Sequence, residues 1–352
     1  MSAAQTYTLK ALTDIWTGDA SGKGERLIST GLLGSIRWWF EVVVRGLSGS
    51  ACDPSHHKDN KPGPCPEPGR KPHDAGHHCV VCELFGCTGW ARKFRFDVLG
   101  KDGTTQQGHI KAGQTFQLRF TPLRSIAPEE WALLDMTLRL IAGYGAMGGK
   151  TVYKPTEESS RQSEQHHQDF GLVKLVPSAP DRQFKEHDLR RYVSLPKWRS
   201  LDQQDFAWAS LQHFWCVLGK HLSREDADHS SFNRVLGRDE RKRCRDCGKV
   251  HNPPQKCQKT EKHPRRYSDQ NPTSDLEKWL AGGHAESKKV FSFKSFKDPV
   301  SARRTFGFVQ STNKLDEMRQ RLKDKAWGDL KDNEFLKGGA ILARLLGQGG
   351  AA

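Results

Sequence analysis

Ser29-Thr-Gly-Leu-Leu-Gly-Ser-Ile-Arg-Trp-Trp-Phe-Glu-Val-Val-Val-Arg-Gly46 is the stretch on which the fold turns. Leu32, Leu33, Ile36, Phe40, Val43 and Val44 recur at intervals of three and four residues, which predicts an amphipathic helix. It should open near Ser29 or Thr30, where either hydroxyl can cap the free N–H groups, and close at Gly46. Two adjacent tryptophans cannot share one face of a helix. One of Trp38 and Trp39 therefore belongs to the core, and the other packs on a second helix or a neighbouring subunit. Arg37 can lie along the helix with its charge in water or reach a phosphate.

Outward from this helix, residues 7–12 read as a strand and 17–24 as a glycine-rich connector. Residues 51–89 are crowded with Pro, Gly, His and Cys and lack periodicity, the mark of an insertion that needs an outside source of stability. Residues 94–99 and 115–120 alternate as half-buried strands do. A second helix starts at Pro128, with Glu129 and Glu130 at its positive end and Trp131, Leu134, Leu138 and Ile141 as its buried stripe, and stops at Gly143. Residues 170–176 read as another strand. The order strand, helix, strand, strand, helix, strand predicts an α+β, ferredoxin-like (RRM-like) domain over 1–176, with the Cys/His-rich insertion inside it. Over 177–352 the pattern is weaker: a helix over 206–222, a strand at 305–309, helices at 314–325 and 335–346, and a basic Cys/His insertion at 234–266.

The 352 residues carry 56 Lys and Arg against 41 Asp and Glu, a net charge of +15. Such an excess favours a phosphate-rich or anionic partner. The insertion at 234–266 holds twelve Lys or Arg against four Asp or Glu, so more than half of the excess sits there. No apolar run approaches the roughly 18–20 residues of a membrane span, and the N-terminal residues have no signal-peptide pattern, so a cytoplasmic protein without membrane partners is expected. Nine cysteines in a reducing compartment read as thiols and metal ligands rather than disulfides.

Four constellations can carry chemistry. In Cys79-Val-Val-Cys82-Glu-Leu-Phe-Gly-Cys87 a Cys-x-x-Cys turn aims two thiolates at one centre, and zinc needs two further ligands. Cys52, Cys79, Cys82 and Cys87 are the preferred set, with Cys65 or His78 as substitutes. In the second cluster Cys244, Cys247, His251 and Cys257 have the layout of a zinc knuckle, with His263 as an alternative ligand. A structural role for one or two zinc ions follows, because neither segment has a core of its own. The third is Gly143-Tyr-Gly-Ala-Met-Gly-Gly-Lys150. Its backbone N–H groups can approach phosphate oxygens, although a helix C-terminus followed by glycines is also an ordinary cap. The fourth is the pair Arg37 and Trp38 on the first helix. No nucleophilic triad or paired carboxylates are present, and Asp14, Asp19 and Asp53 read as turn formers.

Three segments resemble a known family. They are Leu12-Thr-Asp-Ile-Trp-Thr-Gly18, the helix segment Ser29-Thr-Gly-Leu-Leu-Gly-Ser-Ile-Arg-Trp-Trp39, and Cys79-Val-Val-Cys-Glu-Leu-Phe-Gly-Cys-Thr-Gly-Trp90. They are similar to motifs of the RAMP superfamily of CRISPR systems, nearest to the first RAMP subunit of the type III-B Cmr effector complex. Ile15-Trp16 stands where Pro-Leu is common, a mild departure, and the likeness is thin beyond residue 176. The resemblance implies ferredoxin-like RAMP domains, with a second such unit admitted over 177–352. It also implies no independent catalysis and a place beside other RAMP subunits on a guide RNA and its target RNA, towards the 3′ end of the guide. Arg37 and Trp38 fall on the family's Arg-Trp pair, and Gly143, Gly145, Gly148 and Gly149 fall on its glycine-rich loop.

Taken together, the expected RNA-binding residues are Lys23, Arg26, Arg37, Arg92, Lys93, Gly143, Gly145, Gly148, Gly149, Lys150, Arg241, Lys242 and Arg243. Two other classes compete: a metal-independent RAMP endoribonuclease that processes precursor guide RNA through one of the fifteen histidines, and a zinc-dependent DNA-binding regulator.

Overall fold

The computed structural model describes residues 3–18, 24, 26–53, 63–148, 155–163, 167–176, 184–201, 206–226, 229–238, 242–244, 247, 256–259, 266–268, 274–283, 287–294 and 302–347. The first half contains β1 (Gln5–Ala11), α1 (Ser29–Gly46), α2 (Val80–Phe85), β2 (Phe94–Gly100), β3 (Thr115–Pro122), α3 (Pro128–Tyr144) and β4 (Val173–Leu175). These strands form one antiparallel sheet in the order β2-β3-β1-β4, which is the ferredoxin-like arrangement expected. Alternation sorts the faces. Tyr7, Leu9, Phe116, Leu118, Phe120, Phe94 and Phe96 are buried under α1 and α3, whereas Thr6, Lys10, Arg95 and Lys174 point to solvent.

The start of α1 differs from expectation. Its N-cap residue is Ile28, with no capping side chain, and Ser29 and Thr30 lie inside the helix. The hydroxyl of Thr17 supplies the entry contact instead, accepting from the Ile28 N–H at 2.8 Å while donating to the Arg26 carbonyl. The start of α3 matches the reading: Pro128 is its first residue, and the Glu130 carboxylate accepts from the Ala127 N–H at 2.7 Å.

The second half contains α4 (Glu186–Val193), β5 (Phe214–Leu218), α5 (Ser231–Val235), β6 (Lys242–Cys244), β7 (Arg266–Ser268), α6 (Asp275–Ala281), β8 (Val290–Phe293), β9 (Arg304–Phe308), α7 (Leu315–Lys325), β10 (Phe335–Lys337) and α8 (Gly338–Leu345). Its main sheet runs β10-β5-β9-β8. Taken in chain order with α6 and α7 as the crossovers, this repeats the pattern of the first sheet. The helix expected over 206–222 is a short turn followed by β5, and the helix expected over 335–346 begins only at Gly338, after β10. In β5, Phe214, Trp215, Cys216 and Val217 are all buried, because both faces of the sheet are covered. A short, continuously apolar run has no period of two, so the sequence does not distinguish it from a buried helix.

One covering layer comes from the first half. Trp39 packs edge-on against Phe214 and Phe306, with centroids 5.8 and 5.7 Å away, and Trp38 meets Phe308 at 5.7 Å. Both tryptophans therefore face the second sheet, Trp39 fully buried and Trp38 half-buried. The opposite face of that sheet, with Trp215 and Val217, packs on Phe232 of α5, Leu280 of α6 and Met318 and Leu322 of α7. Among the described residues no helix is long and apolar enough to cross a membrane.

Candidate metal centre and nucleic-acid interface

Four thiols converge where the 51–89 insertion folds back on α1. Cys52 follows α1, Cys65 lies in the loop, Cys79 is the N-cap residue of α2, and Cys82 sits in the first turn of that helix. Their sulfurs all lie within 4.8 Å of one another and all four residues are buried. Zn–S bonds of about 2.3 Å in a tetrahedron place sulfurs about 3.8 Å apart, so a modest adjustment of this quartet accommodates zinc. The Cys52 and Cys82 sulfurs are 3.4 Å apart, and the Cys79 N–H donates to the Cys65 sulfur at 3.3 Å. Hydrogen bonds from Cys52, Cys65 and Cys82 pull the Cys79 thiol well below its usual range, while partner thiols and burial push Cys52 and Cys82 up. A divalent cation binds such a set by displacing the thiol protons.

This quartet holds three members of the preferred set, and its fourth sulfur is that of Cys65, the expected substitute, rather than Cys87. Gly86, at φ +87, turns the chain after α2; the Cys87 backbone pairs with that of Trp90 in a tight hairpin, and its thiol reaches Cys82 without joining the group of four. His78 is not a ligand either. Its Nε2 pairs with the Glu83 carboxylate at 2.7 Å and its Nδ1 faces Nδ1 of His77.

Two guanidinium groups border the thiols. From α1, Arg37 places Nη2 at 3.2 Å from the Cys82 sulfur and 3.7 Å from the Cys52 sulfur, while Nη1 donates to the Gly86 carbonyl and Nε to the Glu41 carboxylate. From the second half, Arg199 approaches the Cys65 sulfur at 3.8 Å, donates to the Gly63 and Pro64 carbonyls, and pairs with Glu67. Burial pushes the Glu41 carboxyl up to about 7, against the pull of Arg45 and Arg37. Arg37 is therefore engaged with the thiol centre, Gly86 and Glu41. No sequence signal marked Arg199, which lies over a hundred residues from the cysteines it borders.

The second cluster brings together Cys244, Cys247 and Cys257, again within 4.8 Å, with Cys244 and Cys257 buried. Cys244 ends β6, which pairs with β7. His251 and His263 lie outside the described residues, so three of the four expected ligands are seen together.

Of the expected RNA-binding residues, Lys23, Gly149, Lys150 and Arg241 also lie outside the described residues. Lys242 and Arg243 occupy β6, opposite Ser268 and Tyr267. Arg26 is exposed and Arg92 half-buried. Lys93 is not available to RNA: it is buried, and its ammonium bridges Glu83 and Glu130, the latter at 2.9 Å. Through residue 148 the glycine run is likewise consumed by the protein itself. Gly145 lies under the Trp39 indole, where a Cβ would come within 2.6 Å of the ring. The Trp39 Nε1–H donates to the Ala146 carbonyl at 2.8 Å. The Gly148 N–H donates to the Ser35 hydroxyl and the Met147 N–H to the Gly171 carbonyl. Arg304, buried on β9, donates to the carbonyls of Ala142 and Gly145 and so closes the C-terminus of α3. The run through residue 148 is a junction between the two halves, and of its described glycines Gly143, on the last turn of α3, is the one that borders open space.

Residues 8–153 match the family model of the RAMP superfamily. Among solved structures, Cmr1 from Pyrococcus furiosus in its apo form matches at 14% identity and a TM-score of 0.30, over 51% of each chain. This chain thus spans about half the length of that structure. No curated protein sequence matches.

Proposed function

We propose that the chain is a non-catalytic, RNA-binding subunit of a cytoplasmic type III-B CRISPR ribonucleoprotein effector complex in antiviral defence. It contacts the guide RNA on its 3′ side and the target RNA beside other RAMP subunits. One observation carries the reading: the RAMP match over 8–153 coincides with a sheet whose order is ferredoxin-like. The charge of +15 supports it, since a protein that neutralises phosphates needs such an excess.

The solvent face of the first sheet sets the manner of binding. It presents Thr6, Thr8, Lys10, Arg95, Asp97, Gln117, Arg119 and Lys174, and no aromatic ring. Such a face suits phosphates and 2′-hydroxyls rather than stacked bases. Arg26 and Arg92 extend the cationic surface, and the basic 234–266 segment adds net charge. One or two zinc ions complete the fold: Cys52, Cys65, Cys79 and Cys82 hold the first, and Cys244, Cys247 and Cys257 with a histidine hold the second. Bound zinc in the first centre would tie the end of α1 and the Cys65 loop to α2, whose Val80, Val81, Leu84 and Phe85 already pack in the core.

Single-stranded RNA binding measured against salt tests this function. The log of the association constant should fall by about 0.7 per log unit of salt for each phosphate neutralised, and binding should be weaker to duplex DNA at equal salt. Absence of RNA affinity at low salt would refute the reading. Site-specific cleavage of precursor guide RNA by pure protein in EDTA would instead establish the endoribonuclease.

A further inference from the structure

The first thiol centre is bordered by one guanidinium from each half of the chain, and its charge balance gives both a role. Four thiolates and a divalent cation sum to −2. Arg37 and Arg199 are the cations whose guanidinium groups lie within hydrogen-bonding reach of the sulfurs among the described residues, at 3.2 Å from Cys82 and 3.8 Å from Cys65. The neighbouring carboxylates leave this balance in place. Glu41 also meets Arg45 at 3.6 Å, and Glu67 lies at the surface with a side chain 39% exposed, where water screens it. The two arginine side chains are 18% and 5% exposed, so their charges act in a low-dielectric setting.

Arg199 also belongs to a strap. The segment 197–201 crosses the insertion through three backbone contacts: the Gly76 N–H donates to the Lys197 carbonyl at 2.9 Å, the Arg199 N–H to the His78 carbonyl at 2.8 Å, and the Leu201 N–H to the Ser50 hydroxyl at 2.9 Å. Each of these contacts touches the chain next to a thiol ligand or the loop between two of them.

We propose that Arg37 and Arg199 are the outer-shell charge partners of a divalent metal held by Cys52, Cys65, Cys79 and Cys82, and that the loaded centre fastens the 197–201 strap onto the first half. The inference rests on the quartet binding metal, as read above. Metal binding turns neutral thiols into thiolates and strengthens both arginine contacts into charge-assisted hydrogen bonds. Each arginine in turn lowers the cost of the extra negative charge and orients the sulfur it touches.

The test uses the full chain with Co2+ as a spectroscopic stand-in for zinc and chelator competition for affinity. Arg37→Ala and Arg199→Ala should each weaken metal binding by about 10–100-fold, the range for lost outer-shell partners, and Arg→Lys should recover part of that loss. Hydrogen exchange at the Arg199 and Leu201 amides should accelerate when metal is chelated, and also in metal-loaded Arg199→Ala. A parent chain that shows no thiolate–cobalt absorption at this centre after Cys244 and Cys257 are changed to Ser overturns the metal reading and the strap together. In a parent that loads cobalt, folded alanine variants that bind within twofold of it overturn the arginine role, and exchange at 199–201 that ignores the metal overturns the strap.

Discussion

Lys93 tests the reassignment of a residue from RNA contact to structural ion pair. Replacing it by Met keeps the aliphatic stem and removes the ammonium that holds Glu83 and Glu130 together. The Glu130 side chain is 1% exposed and that of Glu83 13%, so the variant leaves two like charges with little water around them. Removing one partner of a buried ion pair costs about 3–5 kcal/mol, and K93M should lose that much stability. Urea unfolding of the full chain, followed at the first transition, measures it. The double variant K93M/E130Q, which removes the Glu130 charge, should recover at least about 1 kcal/mol of the loss, Glu83 keeping its contact with His78. The pH dependence has a definite sign. Burial already holds the Glu130 carboxyl above its ordinary value in spite of Lys93. An acid whose pKa is raised by folding favours the folded state below its unfolded pKa and loses that contribution as pH rises through the folded pKa. Without Lys93 the folded pKa climbs further, so the gap between variant and parent should be widest near neutral pH and shrink in acid. If K93M unfolds within about 0.5 kcal/mol of the parent, the scale of an ordinary surface change, and instead loses RNA affinity, the structural assignment of Lys93 is wrong.

Other outcomes are equally specific. Cys65→Ser should lower the zinc content of the purified chain by one equivalent and Cys87→Ser should leave it unchanged, as read by metal analysis after dialysis; the reverse result would restore the ligand set expected from sequence. Gly145→Ala should cost about 1–3 kcal/mol by overpacking, because its Cβ meets Trp39 at 2.6 Å, with indole fluorescence reporting the shift of Trp39. Neutralising Arg241, Lys242 and Arg243 together should reduce the salt slope of RNA binding by up to about 2. Removing Lys314, Lys323 and Lys325, at and within α7, should change it less, since Lys314 is already paired with Glu317 at 2.6 Å; equal effects would mean that the charge acts only as a diffuse field.

The sequence by itself determined the elements whose periodicity is complete. The alternation in β1, β2 and β3 and the apolar stripes of α1 and α3 express a sheet with one wet face and helices with one dry face, so the order of the first ferredoxin-like unit was legible. It also marked the cysteine clusters, since Cys-x-x-Cys spacing is local. Elements buried on both sides were a different matter. Residues 214–218 lost their alternation because α1 of the other half covers one face and α5, α6 and α7 the opposite one, a fact of tertiary packing that no local pattern carries. The fate of the charges was decided in the same way. Arg37, Lys93 and the glycine run have the composition of a phosphate site, yet their partners are Cys82, Glu130, Trp39 and Arg304. Those partners lie about 40 to 160 residues away in the chain, and only folding brings them within hydrogen-bond range. The grouping of Cys65 with Cys52, Cys79 and Cys82 follows the same logic: spacing nominates Cys79 and Cys82, and only the folded chain brings the sulfur of Cys65 to them.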